Sequence, residues 1–126
     1  MENNMIGYIT LGTNDLQRGA KFYDELLAGL GAKRFMDTDT FIAWSAGAGQ
    51  PGVAISKPAD GNAATVGNGV MIALMAENPA QVDALYAKAL ELGATDEGPA
   101  GPRGDSFYAG YFRDLDGNKL NFFCMT

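Results

Sequence analysis

The chain has 126 residues, 47% of them hydrophobic, one cysteine (Cys124), no histidine and a net charge of -6. That length suits a single domain with a core of its own, and a lone cysteine excludes an internal disulfide. The nine Lys and Arg are scattered and form no basic patch, so nucleic acid is not an expected partner, and with no apolar run of membrane-spanning length a cytoplasmic protein is expected.

In chain order, residues 5–12 are rich in apolar side chains and read as a strand. Thr13, Asn14 and Asp15 then offer capping oxygens to a helix whose apolar face is Leu16, Phe22, Tyr23, Leu26, Leu27 and Leu30, with Gly31 as its stop. Three short strands follow over 32–36, 40–45 and 52–57. The order then repeats. A strand over 69–76 precedes a helix opened by Asn78-Pro79, carrying Val82, Leu85, Tyr86, Ala89 and Leu92 and stopped at Gly93. Strands over 94–97, 107–113 and 119–125 complete the chain, the last two joined by the hairpin turn Asp114-Leu115-Asp116-Gly117-Asn118. The stretch 98–106, Gly-Pro-Ala-Gly-Pro-Arg-Gly-Asp-Ser, reads as a solvated loop, with a cap over a site as the alternative.

Phe22-Tyr23 superimposes on Leu85-Tyr86, 63 positions on, so one βαβββ unit occurs twice. The expected class is α+β: two tandem βαβββ modules, about 5–57 and 69–125, forming a cupped mixed sheet with helices on its outer face. The linker 58–68 joins them within a single domain spanning 1–126, because neither half is expected to bury enough core alone. Alternation on 69–76 sets Val70, Ile72 and Leu74 on one side and Met71, Ala73 and Met75 on the other. Cys124 turns toward the helices, where an inert thiol is expected.

The paired units, the opening Gly12-Thr13-Asn14-Asp15-Leu16 with Phe22-Tyr23, and the closing Arg113-Asp114-Leu115-Asp116-Gly117-Asn118 resemble the vicinal oxygen chelate superfamily of glyoxalase I, bleomycin resistance proteins and extradiol dioxygenases. The resemblance covers essentially the whole chain and implies a glyoxalase-like fold. Its enzymes hold a divalent metal on four strand positions, usually His and Glu, which fall here on Tyr8, Ala54, Met71 and Asn121. An alanine, a thioether, a neutral amide and a phenol supply no charge to offset a divalent cation, so neither a metal nor another cofactor is expected.

Parity places Thr10, Ile42, Trp44, Met75, Tyr111 and Phe123 on the same front face as Asn121. The candidate ligand-binding residues are Tyr8, Trp44, Met71, Met75, Arg103, Tyr108, Tyr111, Asn121 and Phe123. The expected function is metal-independent binding of a hydrophobic or amphipathic small molecule, as bleomycin resistance proteins bind drugs, and a net charge of -6 suits a cationic ligand. A lyase or isomerase using Tyr8, Tyr111 or Asp105 as acid or base is the alternative, with no catalytic residue assigned, and a dimeric interaction scaffold is the third reading. The resemblance also implies a homodimer.

Overall fold

The computed structural model describes residues 5–126, in two compact units that divide between Thr65 and Val66. The first unit runs β1 (Tyr8–Gly12), α1 (Leu16–Ala28), β2 (Lys33–Asp37), β3 (Phe41–Ser45) and β4 (Gly52–Ser56), in one four-stranded sheet of order β1-β4-β3-β2. The second repeats it with β5 (Ile72–Met75), α2 (Pro79–Glu91), β6 (Thr95–Pro102), β7 (Phe107–Arg113) and β8 (Lys119–Met125), ordered β5-β8-β7-β6. In each sheet the outer pair, β1 with β4 and β5 with β8, is parallel and the other pairings are antiparallel. The expected cupped mixed sheet is thus two four-stranded mixed sheets, one per βαβββ module.

Local signals set the helices. The Asp15 carboxylate accepts from the Arg18 N–H at 3.1 Å, and the Asn78 side chain accepts from Gln81 N–H at 2.8 Å, with Pro79 in the first turn where no N–H is needed. Both helices close alike: Ala32 N–H returns to Leu27 O at 3.1 Å across Gly31 (φ 75), and Ala94 N–H to Ala89 O at 3.0 Å across Gly93 (φ 107). A positive φ at each stop favours glycine.

The core of each unit lies between its sheet and its helix. In the first, α1 packs on β2, β3 and β4, burying Phe22, Tyr23, Leu26 and Leu27 with Leu11, Ile42, Trp44, Val53 and Ile55. Each such side chain contributes about 1.5–3 kcal/mol. In the second, α2 packs on β6, β7 and β8, with Val82, Leu85, Phe112, Leu120 and Phe122 buried. Gly110 lets Tyr86 lie directly on β7: a Cβ there would sit 2.9 Å from Tyr86 Cδ1. Cys124 is buried on this helix side, as its parity with Phe122 requires.

One loop expectation is overturned. Residues 98–102 belong to β6, where Gly98, Gly101 and Pro102 stand opposite Tyr111, Ala109 and Tyr108. Two register shifts absorb the glycines and prolines, so a composition that reads as loop still pairs with β7.

Candidate functional site

The face of each sheet turned away from its helix is the candidate site. In the second unit the register puts Ala73 and Met75 of β5, Lys119, Asn121, Phe123 and Met125 of β8, and Phe107, Ala109, Tyr111 and Arg113 of β7 on that face. Met71 lies immediately before β5 and is exposed, and Met75 is 69% exposed. Phe123 stacks on Phe107, ring centroids 5.5 Å apart, and both are half-buried.

Tyr111 is the centre of this face. The Arg103 guanidinium carbon lies 5.5 Å from its ring centroid, and Lys119 Nζ lies 5.6 Å from it. Arg103 is held in place by its own chain: Nη1 donates to Gly101 O at 3.0 Å and Nη2 to Pro99 O at 2.7 Å. Cross-strand from Tyr111 stands Asn121, 1% exposed, whose Oδ1 is buried with no hydrogen-bond partner among the described residues. An orphaned buried acceptor costs about 1–3 kcal/mol, so this oxygen detracts from stability.

In the first unit the corresponding face carries Tyr8, Thr10 and Gly12 of β1, Ala54 and Ser56 of β4, and Phe41 and Ala43 of β3. Tyr8 is 60% exposed and meets Phe41 edge to face at 6.0 Å. Phe35 and Met36 of β2 are also exposed. At the C-terminal ends of β1 and β4 an open groove of about 430 Å3 is lined by Thr10, Gly12, Ser56, Lys57, Asp60 and Thr65. Its wall is fixed by Asn14, which donates to Ala64 O at 3.2 Å and accepts from Ala64 N–H at 2.7 Å.

Two residues expected on the front face, Ile42 and Trp44, and one ligand-binding candidate, Tyr108, lie on the helix sides of their sheets. Ile42 and Trp44 pair with Ile55 and Val53 on the helix side of the first sheet, and both are buried. Trp44 Nε1 donates to the Asp24 carboxylate of α1 at 2.8 Å, its ring 5.7 Å from Tyr23. Arg34 grips the same carboxylate through Nε at 2.9 Å and Nη2 at 2.7 Å, and that contact holds the Asp24 carboxyl below its ordinary range. Tyr108 pairs with Cys124 and points to α2, where its hydroxyl donates to Asp83 Oδ1 at 2.7 Å. That hydrogen bond raises the Tyr108 pKa above its ordinary value. The position equivalent to Tyr111 is Ala43, the partner of Ala54, not Trp44. An offset carried across hairpins of unequal loop length slips by one residue, and one residue reverses the face.

The sequence reading missed Lys119, Phe35, Phe41 and Phe107. Lys119 was within reach, since it shares parity with Asn121 and Phe123; Phe35 was not, because a bulge between Arg34 and Met36 sets its direction.

The residues present do not fit a hard divalent metal. Ala54 offers only a buried methyl, Asn121 a neutral amide, Met71 a thioether and Tyr8 an exposed phenol. No group of three or more Cys, Asp or Glu side chains able to hold a metal occurs among the described residues, and the chain has no histidine. The acidic turn is taken up structurally: Asp114 is buried and accepts from the N–H groups of Asp116 and Asn118, both at 2.9 Å.

Comparison with known proteins places this geometry. The family model described as the Glyoxalase/Bleomycin resistance protein/Dioxygenase superfamily matches residues 5–122. The chain is similar to a glyoxalase/bleomycin resistance protein from Albidiferax ferrireducens T118, at 34% identity over 96% of this chain and 98% of that one, with a TM-score of 0.88. A hypothetical protein from S. aureus matches at 27% identity over 98% and 94% of the two chains, TM-score 0.73. A lactoylglutathione lyase from Agrobacterium tumefaciens shares the fold at 18% identity over 96% and 93%, TM-score 0.71. No curated protein matches this sequence.

Proposed function

The chain belongs to the Glyoxalase/Bleomycin resistance protein/Dioxygenase superfamily, and from that premise we propose that it binds an amphipathic small molecule without a metal. The observation that carries this reading is the second unit's front face. Tyr111 and Phe123 are half-buried there, Met71 and Met75 are exposed beside them, and Asn121 offers an unpaired oxygen where the family's enzymes place a charged ligand. Aromatic and thioether side chains provide adaptable apolar contact, and one unspent polar group fixes orientation. A stabiliser of an enediolate or an activator of oxygen is what the glyoxalase and dioxygenase reactions require, and the donor set has none to offer. Lyase or isomerase chemistry by Tyr8, Tyr111 or Asp105 finds no support in their surroundings: Asp105 and Tyr8 are exposed, and the neighbours of Tyr111 are cations and an amide.

We further propose a homodimer, in which a second copy covers exposed side chains such as Phe35, Met36 and Met125. No helix among the described residues is long and apolar enough to cross a membrane, and a single buried thiol suits a reducing cytoplasmic compartment. The test is thermal denaturation of chelator-dialysed protein against a library of ring-bearing small molecules. A compound present at a hundredfold its Kd stabilises by about 2.7 kcal/mol and raises Tm accordingly. Stabilisation that appears only after a divalent metal is added, or by no compound at all, overturns the reading.

A further inference from the structure

Resting on that binding reading, we propose that the ligand of the second unit's front face is an anion: an amphipathic carboxylate whose apolar or aromatic body also carries a hydrogen-bond donor. The chain as a whole is acidic, at -6, which by itself suits a cationic ligand, but net charge does not describe this face. Fifteen carboxylates are available, and Arg34, Lys88 and Arg113 are each paired to one or two of them. Arg103 and Lys119 are not: among the described residues neither has a carboxylate within ion-pair distance, and both converge on the Tyr111 ring instead.

Two half-buried cations of like sign beside one ring repel each other, and the arrangement is relieved when an anion enters between or beside them. Arg103 is oriented for this role. Carbonyls of Pro99 and Gly101 hold its Nη atoms, while its Nε–H edge has no protein acceptor among the described residues. A guanidinium anchored by backbone carbonyls keeps its full charge, since carbonyls offset it only partly, and needs little reordering to bind.

The second, independent observation is Asn121. Its buried Oδ1 faces the same side as its cross-strand neighbour Tyr111 and lacks a donor. A ligand that reaches the two cations with its carboxylate, lays an aromatic body along Tyr111, Phe123 and Met75, and gives an N–H or O–H to Asn121 answers both the charge and the orphaned oxygen of the face. A cationic ligand would meet Arg103 and Lys119 with like charge.

The test uses three probes of nearly equal shape, each with an N–H donor: indoleacetate, indoleacetamide and tryptamine, which carry negative, no and positive charge. Amide chemical shifts of isotope-labelled, full-length protein are followed during each titration. The expected result is indoleacetate binding about tenfold more tightly than indoleacetamide, with tryptamine weakest and the shifted amides centred on β7 and β8. Lys119→Gln lowers indoleacetate affinity about tenfold and narrows its margin over the amide. Arg103→Gln does the same, with Lys119→Gln as the variant that leaves the β6 carbonyl contacts intact. If indoleacetamide or tryptamine binds those amides as tightly as indoleacetate, the charge assignment is overturned while the binding function stands. If none of the three shifts an amide of β7 or β8, both are overturned.

Discussion

Replacing Asn121 with leucine should stabilise the protein while removing its capacity to hold a polar ligand. Asn121 is 1% exposed on a central strand, and its Oδ1 has no partner among the described residues. An unsatisfied buried oxygen costs about 1–3 kcal/mol, and leucine keeps the same branched side-chain skeleton, so the overpacking by its bulkier methyls should cost about 1 kcal/mol. The balance is a gain of about 1 kcal/mol, or a Tm rise on the order of 5 °C for a chain of this size. Asn121→Asp should move the other way, since an ionised carboxylate is costlier to bury than an amide. Thermal melts followed by circular dichroism measure both. A fall in Tm for Asn121→Leu as large as that for Asn121→Asp would refute the reasoning, because it would mean the amide oxygen is satisfied in solution and its burial carries no stored cost.

Other outcomes follow from the helix-side contacts. Gly110→Ala should destabilise by about 1–3 kcal/mol in denaturant titrations, because the new methyl would press on Tyr86 at its Cβ, Cγ and Cδ1, and that ring is tied by a 2.6 Å hydrogen bond from its hydroxyl to Asp96. Burial, and then that bond, push the Tyr86 pKa up to about 12, so Tyr86→Phe should remove a late-ionising component from an ultraviolet tyrosine titration. Asp24 has a folded pKa below its ordinary 3.8, chiefly through the Arg34 hydrogen bonds. Its contribution is therefore complete above that ordinary value and is lost as pH falls through the folded one, and Asp24→Asn should flatten this part of the acid stability profile. Dialysis against zinc, nickel, manganese or iron should leave no stoichiometric metal by elemental analysis; retention of one ion per chain would show that other groups form a site.

What the sequence made legible was what short-range chemistry decides. Asp15 and Asn78 start the helices, Gly31 and Gly93 stop them, and Asp114 to Asn118 turn the last hairpin, each through bonds within a few residues. The repeat of Phe22-Tyr23 in Leu85-Tyr86 exposed the doubled module for the same reason. What depends on partners across the sheet was harder to read. The extension of β6 through Gly98 and Gly101 exists only because β7 offers Tyr111 and Ala109 opposite them. Trp44 looked like a ligand-facing aromatic until pairing with Val53 turned its indole to Asp24, and Tyr108 went to Asp83 in the same way. Tyr111, Asn121, Phe123 and Met75 share a face by strict alternation, and Lys119 joins that face by the same rule.

Metal-independent binding is tested most directly by a titration of chelator-treated protein with indoleacetate, read at the backbone amides of β7 and β8 and repeated after adding zinc. Saturable shifts around Tyr111 and Asn121, with the same midpoint in chelator and in zinc, are the predicted result. Shifts that require zinc would contradict the account, since the amide of Asn121 and the thioether of Met71 offer no charge to hold a divalent cation on that face.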